Sequence, residues 1–166
     1  MVNQDSQNLF HEIIEAHNGI LLKVVRAYCQ NEADKQDLMQ EIMIQVWQSI
    51  SKFNHQSKVT TWLYRISLNV AISFYRKNNV KTNIQDFKEI DVQNNIDDKS
   101  ATEQQLILLE QFINELKEID KALMVLYLED KSHVEIAEIL GMSVSNVGTK
   151  INRIKEKLKT RFSNLK

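Results

Sequence analysis

Apolar residues recur along most of the chain at steps of three and four, the spacing that gathers them on one face of a helix. Phe10, Ile13, Ile14, Leu21, Val24, Val25 and Tyr28 predict a helix or a pair of helices, with Gly19 as the weak point. Asn31 to Lys35 interrupts the pattern, and Asp34 or a neighbour is placed to cap a second helix running to about Ile50. Its core face carries Leu38, Met39, Ile42, Met43, Val46 and Ile50. The polar connection Phe53 to Thr60 follows, and Thr60 or Thr61 can cap a third helix with Trp62, Leu63, Ile66, Val70, Ile72 and Phe74 on its core face. From Asn78 to Glu103 the periodicity fails in a stretch rich in Asn, Asp and Gln, which reads as a flexible polar linker. It returns with Leu106, Leu109, Phe112, Ile113 and Leu116, then with Leu123, Leu126 and Tyr127 behind a cap expected at Asp120.

Ser132 to Leu158 is the most fully specified stretch. Ser132 and Glu135 have capping-box spacing, in which hydroxyl and carboxylate each satisfy an orphan backbone N–H. Val134, Ile136, Ala137, Ile139 and Leu140 form an apolar face. Gly141 stands where the helix must end in a conformation that penalises a Cβ. Ser143 can cap the next helix, on which Val144, Val147, Ile151, Ile154 and Leu158 keep one face apolar. Small Ala137 lets two steeply crossing helices approach, so the pattern is a helix-turn-helix. In the DNA-binding reading, Ser145, Asn146 and Thr149 reach base edges, while Lys150, Arg153 and Lys155 meet phosphates. The alternative is a helical hairpin with a solvated basic face.

Composition supports the helical reading, since no proline and only three glycines are present among 166 residues. An all-β fold, with its many turns, usually needs both. The formal charge of -1 hides segregation: seven cations between Lys150 and Lys166 face only Glu156, a local excess of about +6 that suits a polyanion. The linker is acidic, with Asp86, Glu89, Asp91, Asp97, Asp98 and Glu103 against Lys81, Lys88 and Lys99. A single cysteine, Cys29, excludes an intramolecular disulfide. No Cys/His cluster offers a metal site, and no phosphate loop or nucleophile–base pair suggests catalysis, so no cofactor, metal or catalytic residue is expected. No signal peptide or membrane span is read, so a cytoplasmic protein is expected.

Two further surfaces stand out. On the second helix Asp37, Gln40, Glu41, Gln45 and Gln48 form a polar face whose carboxylates, four residues apart, repel weakly; such a face is either simply solvated or meets a basic partner. On the third, Arg65, Asn69, Ser73, Arg76 and Lys77 advance about a turn at a time near Trp62, Tyr64 and Tyr75. Cations beside rings suit single-stranded nucleic acid, while aromatics at helical spacing also suit a core.

With one half suited to single strands and the other to duplex DNA, the chain resembles bacterial sigma factors of the extracytoplasmic-function (ECF) type. The resemblance runs through DLMQEIMIQVW (Asp37 to Trp47), Phe53 and TWLYRISLNVAI (Thr61 to Ile72). It resumes from Leu116 through SHVEIAEILGMSVSNVGTKINRIK. It implies an all-α protein of two small helical domains: a region 2-like domain over 1–78, a linker over 79–104 and a region 4-like domain over 105–166. Asp37, Gln40 and Glu41 would dock on core RNA polymerase. Asn69 would meet a flipped base of the single-stranded -10 element, with Lys58, Arg65, Arg76 and Lys77 on its phosphates. Ser145, Asn146, Thr149, Lys150, Arg153 and Lys155 would read the duplex -35 element. An anti-sigma factor is the further partner implied. Many relatives carry Lys-Ser-Arg where this chain has Gly148, Thr149 and Lys150, so its -35 sequence is expected to differ from the commonest version. The alternatives from other classes are a regulator that binds an operator without polymerase and a helical adaptor that binds only proteins.

Overall fold

The computed structural model describes residues 3–82 and 100–164, with side chains of 80–82 left aside, and among them there are helices and no strand. Helix α1 spans Gln4–Tyr28, α2 Glu32–Ser49 and α3 Val59–Thr82, with a single 3-10 turn at Ile50–Lys52. Four helices follow: α4 Ala101–Glu115, α5 Glu118–Leu128, α6 His133–Leu140 and α7 Val144–Ser163. No helix among the described residues is long and apolar enough to cross a membrane.

In the N-terminal half, α1, α2 and α3 pack around Leu21, Val24, Leu38, Ile42, Val46, Leu63 and Leu68, all fully buried. Helix α1 breaks at His17 (φ -125°, ψ 21°), not at Gly19. His17 lies one turn from both Ile13 and Leu21, where a straight helix would carry a polar ring into the apolar stripe. Helix α2 is capped by Asn31, whose Oδ1 accepts the Asp34 N–H at 2.8 Å. Asp34 is therefore the third residue of the helix, where its charge favours the N-terminal dipole. Neither Thr60 nor Thr61 caps α3, because the helix already begins at Val59 and the Trp62 N–H bonds to the Lys58 carbonyl at 3.0 Å.

The linker expectation meets structure at both ends. Helix α3 continues to Thr82, and α4 opens with a capping box in which Ser100 and Glu103 exchange hydrogen bonds of 3.3 Å. Glu103 is thus a helix residue. The other five linker acids, Asp86, Glu89, Asp91, Asp97 and Asp98, lie outside the described residues, as do Lys88 and Lys99.

In the C-terminal half, α5 is capped by Lys117 without a side-chain bond, and Asp120 sits inside its first turn. The acid acts there through the dipole and not as a cap. The helix-turn-helix forms as its sequence specifies. Glu135 Oε2 accepts from the Ser132 N–H at 2.8 Å, Ser132 Oγ accepts from the Glu135 N–H at 3.1 Å, and Gly141 takes φ 67°. Ser143 Oγ then accepts from the Asn146 N–H at 3.1 Å. Ile136, Ala137, Ile139, Val147, Ile151 and Ile154 are buried. Val134 and Val144 are exceptions, 64% and 45% exposed, because each lies in the first turn of its helix before that helix reaches the core.

The halves also touch: α5 lies against α1 and α3, and α6 lies against α3.

Candidate nucleic-acid interface

Asp37, Gln40 and Glu41 are exposed on α2, opposite the buried Leu38, Ile42 and Val46. Beside them Ile44 is 53% exposed. Between α2 and α3 lies an open cleft of about 410 Å³ lined by Glu41, Ile44, Gln45, Asn69, Val70, Ser73 and Lys77. The structure therefore brings Glu41, from the expected docking face, into the same cleft as Asn69 and Lys77 from the expected -10 stripe.

The rest of the α3 stripe is dispersed. Arg65 is half-buried, and its Nη2 donates to the Glu138 carbonyl of α6 at 3.2 Å. Arg76 Nε donates to Glu118 Oε1 of α5 at 2.9 Å, and this bond holds the Glu118 carboxyl below the usual carboxylate range. Lys58 is exposed just before α3. Tyr64 cannot offer a stacking face: it is buried, its ring lies 5.7 Å from Lys131 Nζ, and burial pushes its hydroxyl up to about 12. Tyr75 meets Tyr28 edge-on at 6.1 Å. Trp62 is half-buried against Phe53 with ring centroids 4.7 Å apart. Of the three rings expected near the stripe, Tyr64 is thus a core residue.

Ser145, Asn146, Thr149, Arg153 and Lys155 are exposed on α7, and Lys150 is half-buried. Thr149 Oγ1 donates back to the Ser145 carbonyl at 3.0 Å, and Lys155 Nζ lies 4.5 Å over the Tyr127 ring. Arg161, part of the basic excess, forms a two-pronged pair with Glu115 instead. A Cβ added at Gly148 would lie 3.5 Å from His133 Nδ1 on α6, an ordinary contact.

The sequence reading missed Lys121. Only 2% exposed, it donates from Nζ to the Ala27 carbonyl at 3.1 Å and the Asn114 carbonyl at 3.0 Å. Its signal is a charge followed by Ala122 to Leu126, five consecutive buried positions. Among the described residues no group of three or more His, Cys, Asp or Glu could hold a metal ion.

A helical half with a cation- and amide-bearing cleft, followed by a helix-turn-helix half, defines a two-part DNA-binding protein. Residues 13–80 match sigma-70 region 2, and residues 106–158 match sigma-70 region 4. The ECF RNA polymerase sigma factor SigW of Bacillus subtilis is 27% identical over 99% of this chain and 94% of its own length. RNA polymerase sigma factor YlaC of the same organism is 30% identical over 74% of both chains. Among solved structures, CnrH in complex with the cytosolic domain of CnrY has a TM-score of 0.68 at 22% identity, covering 95% of this chain and 90% of that one. Sigma factor RpoE in complex with anti-sigma factor NepR from Bartonella quintana has 0.69 at 18%, covering 97% and 98%.

The chain belongs to the ECF sigma factors of the sigma-70 family. It is a promoter-specificity factor that works with core RNA polymerase and promoter DNA in transcription initiation.

Proposed function

We propose that the two halves divide promoter recognition, with region 2 activity in residues 1–78 and region 4 activity in residues 105–166. Asp37, Gln40 and Glu41 dock on polymerase. Asn69 takes an unpaired -10 base, with Lys58, Arg65, Arg76 and Lys77 along its backbone. Ser145, Asn146 and Thr149 face -35 base edges, with Lys150, Arg153 and Lys155 on phosphates. The observation that carries this reading is the cleft shared by α2 and α3, which sets Asn69 and Lys77 beside Glu41, so that a strand opened there lies next to the docked polymerase. The chain carries no catalytic residue in this scheme. It works in the cytoplasm and is held in check by an anti-sigma factor; the two similar structures, one with NepR and one with CnrY, support that last point.

The test is run-off transcription on genomic DNA from the source organism with core polymerase. The wild-type chain is expected to start transcripts at discrete new sites. Asp37→Arg should weaken polymerase binding by about tenfold, the effect of ~1.4 kcal/mol, while leaving -10 oligonucleotide binding intact; Asn69→Ala should do the reverse. Duplex binding by the chain alone with no transcript would replace this reading with an operator-binding regulator.

A further inference from the structure

We propose that the polar cavity beside Lys121, where α1, α2 and α3 meet the end of α4 and the start of α5, binds a small amino or hydroxy acid. Lys121 and Asn114 take its carboxylate, and Asp34 takes the adjacent amino or hydroxyl group. The promoter-reading scheme uses none of these three residues.

The cavity has a volume of about 310 Å³, at the lower end of the range for ligand sites, and it lies between two parts of the fold, where such sites concentrate. Gln30, Asn31, Asp34 and Tyr75 line it from the N-terminal half, and Asn114 and Lys121 from the other. Lys121 is almost fully buried. An ammonium has three N–H donors; two go to the Ala27 and Asn114 carbonyls, and the third has no hydrogen-bond partner among the described residues. The Tyr28 and Tyr75 rings, 5.9 and 5.3 Å from Nζ, attract the cation through their faces but bring no compensating charge. No carboxylate among the described residues forms an ion pair with it. Both carbonyls lie at the negative ends of helices, α1 and α4, which offsets part of the cost of taking the charge out of water. A ligand carboxylate supplies the rest.

The other polar groups on the wall narrow the class. The side-chain amide of Asn114 has no hydrogen bond among the described residues and is free to donate to the same carboxylate. Asp34 accepts from Asn31 Nδ2 through Oδ2 at 2.8 Å, while its Oδ1 has no partner among the described residues. A bare anion would gain at Lys121 and be repelled at Asp34. A carboxylate with a donor on the next carbon satisfies both. A second cavity of about 440 Å³ shares Cys29, Gln30 and Asn114 with the first and is also lined by Arg26 and Glu110, which leaves room for a side chain. Because the walls come from both halves, only a chain with its halves in contact offers the site, and a bound ligand strengthens that contact by mass action.

The experiment is an NMR titration of the full chain with glycine, glycolate, acetate and methylammonium as separate probes, followed at the side-chain amides of Gln30 and Asn114. Glycine or glycolate is expected to move both signals saturably, with half-saturation at about 1–10 mM, within reach of a ligand of about five heavy atoms. The tighter of the two tells an amino acid from a hydroxy acid. Acetate, which lacks the donor, should bind about tenfold more weakly, and methylammonium, which lacks the carboxylate, should not bind. Lys121→Met keeps the bulk of the side chain without its charge and should abolish the shifts. Asn114→Ala keeps the carbonyl that Lys121 uses and removes only the amide, so it should weaken binding about fivefold, read at Gln30. If Lys121→Met loses helicity by circular dichroism, Asn114→Ala decides. Signals unmoved by all four probes, shifts confined to the cations of α7, or wild-type affinity in a folded variant overturns the site. Acetate binding as tightly as glycine and glycolate overturns the role of Asp34 and with it the amino or hydroxy acid.

Discussion

Gly148 lies in the second turn of α7, and the space beside it holds His133 at an ordinary contact distance for a Cβ. Glycine inside a helix costs about 1 kcal/mol relative to alanine. Gly148→Ala should therefore stabilise the chain by roughly 0.5–1 kcal/mol, measured as a higher denaturant midpoint at unchanged m. The same geometry directs that position toward α6, so α7 is better read through its exposed Asn146 and Arg153. Arg153→Ala should weaken -35 duplex binding about equally across sequences and lower the salt slope by about 1. Burial at single positions was legible wherever the apolar period ran unbroken, as at Leu38, Ile42 and Val46. It was not legible at Tyr64, because a ring beside cations has the same local pattern whether it faces a base or the core.

Among the elements, the helix-turn-helix is determined by its own residues. The Ser132–Glu135 box, the left-handed Gly141 and the Ser143 cap all act within four residues of themselves, so sequence alone locates them. Ser132→Ala should cost about 1 kcal/mol and speed amide exchange in the first turn of α6, with α2 unaffected. The starts of α2, α3 and α5 were legible only to within a few residues, since acids and threonines near a helix start suit both a cap and a first turn. Asn31 and Lys117 hold those cap positions at α2 and α5, leaving Asp34 and Asp120 to act through the dipole. The break in α1 followed the polar ring of His17 and not the intrinsic weakness of Gly19.

For the whole molecule, contact between the halves was invisible in the sequence, because Lys23, Arg76, Glu118 and Glu129 look like ordinary surface charges. The contact between the halves has a pH signature. Burial lowers the Lys121 pKa to about 8, whereas an exposed lysine titrates near 10.4. Between those values a chain with its halves apart would bind more protons, so the contact gains stability as pH rises. The groups around Lys121 are Tyr28 and Cys29 at the end of α1, Asp34 of α2 and Tyr75 of α3. Burial raises Tyr28 and takes the Cys29 thiol up to about 11. An exposed thiol titrates near 8.5 and acts in the opposite sense, so the clean window lies below it, at about pH 7 to 8. Across it wild type should become more compact by scattering, and Lys121→Met, which fills the same space without a proton to lose, should not change.

Lys121 and the ion pairs Lys23–Glu129 and Arg76–Glu118 stand apart from the residues that line the α2–α3 cleft and from the exposed face of α7. Apart from Arg76, which belongs both to an ion pair between the halves and to the proposed -10 set, the contact between the halves and the proposed promoter-reading surfaces therefore use different residues. How firmly the halves hold together could thus be adjusted at Lys23, Lys121 and Glu129 while every residue proposed to read the promoter is left as it is.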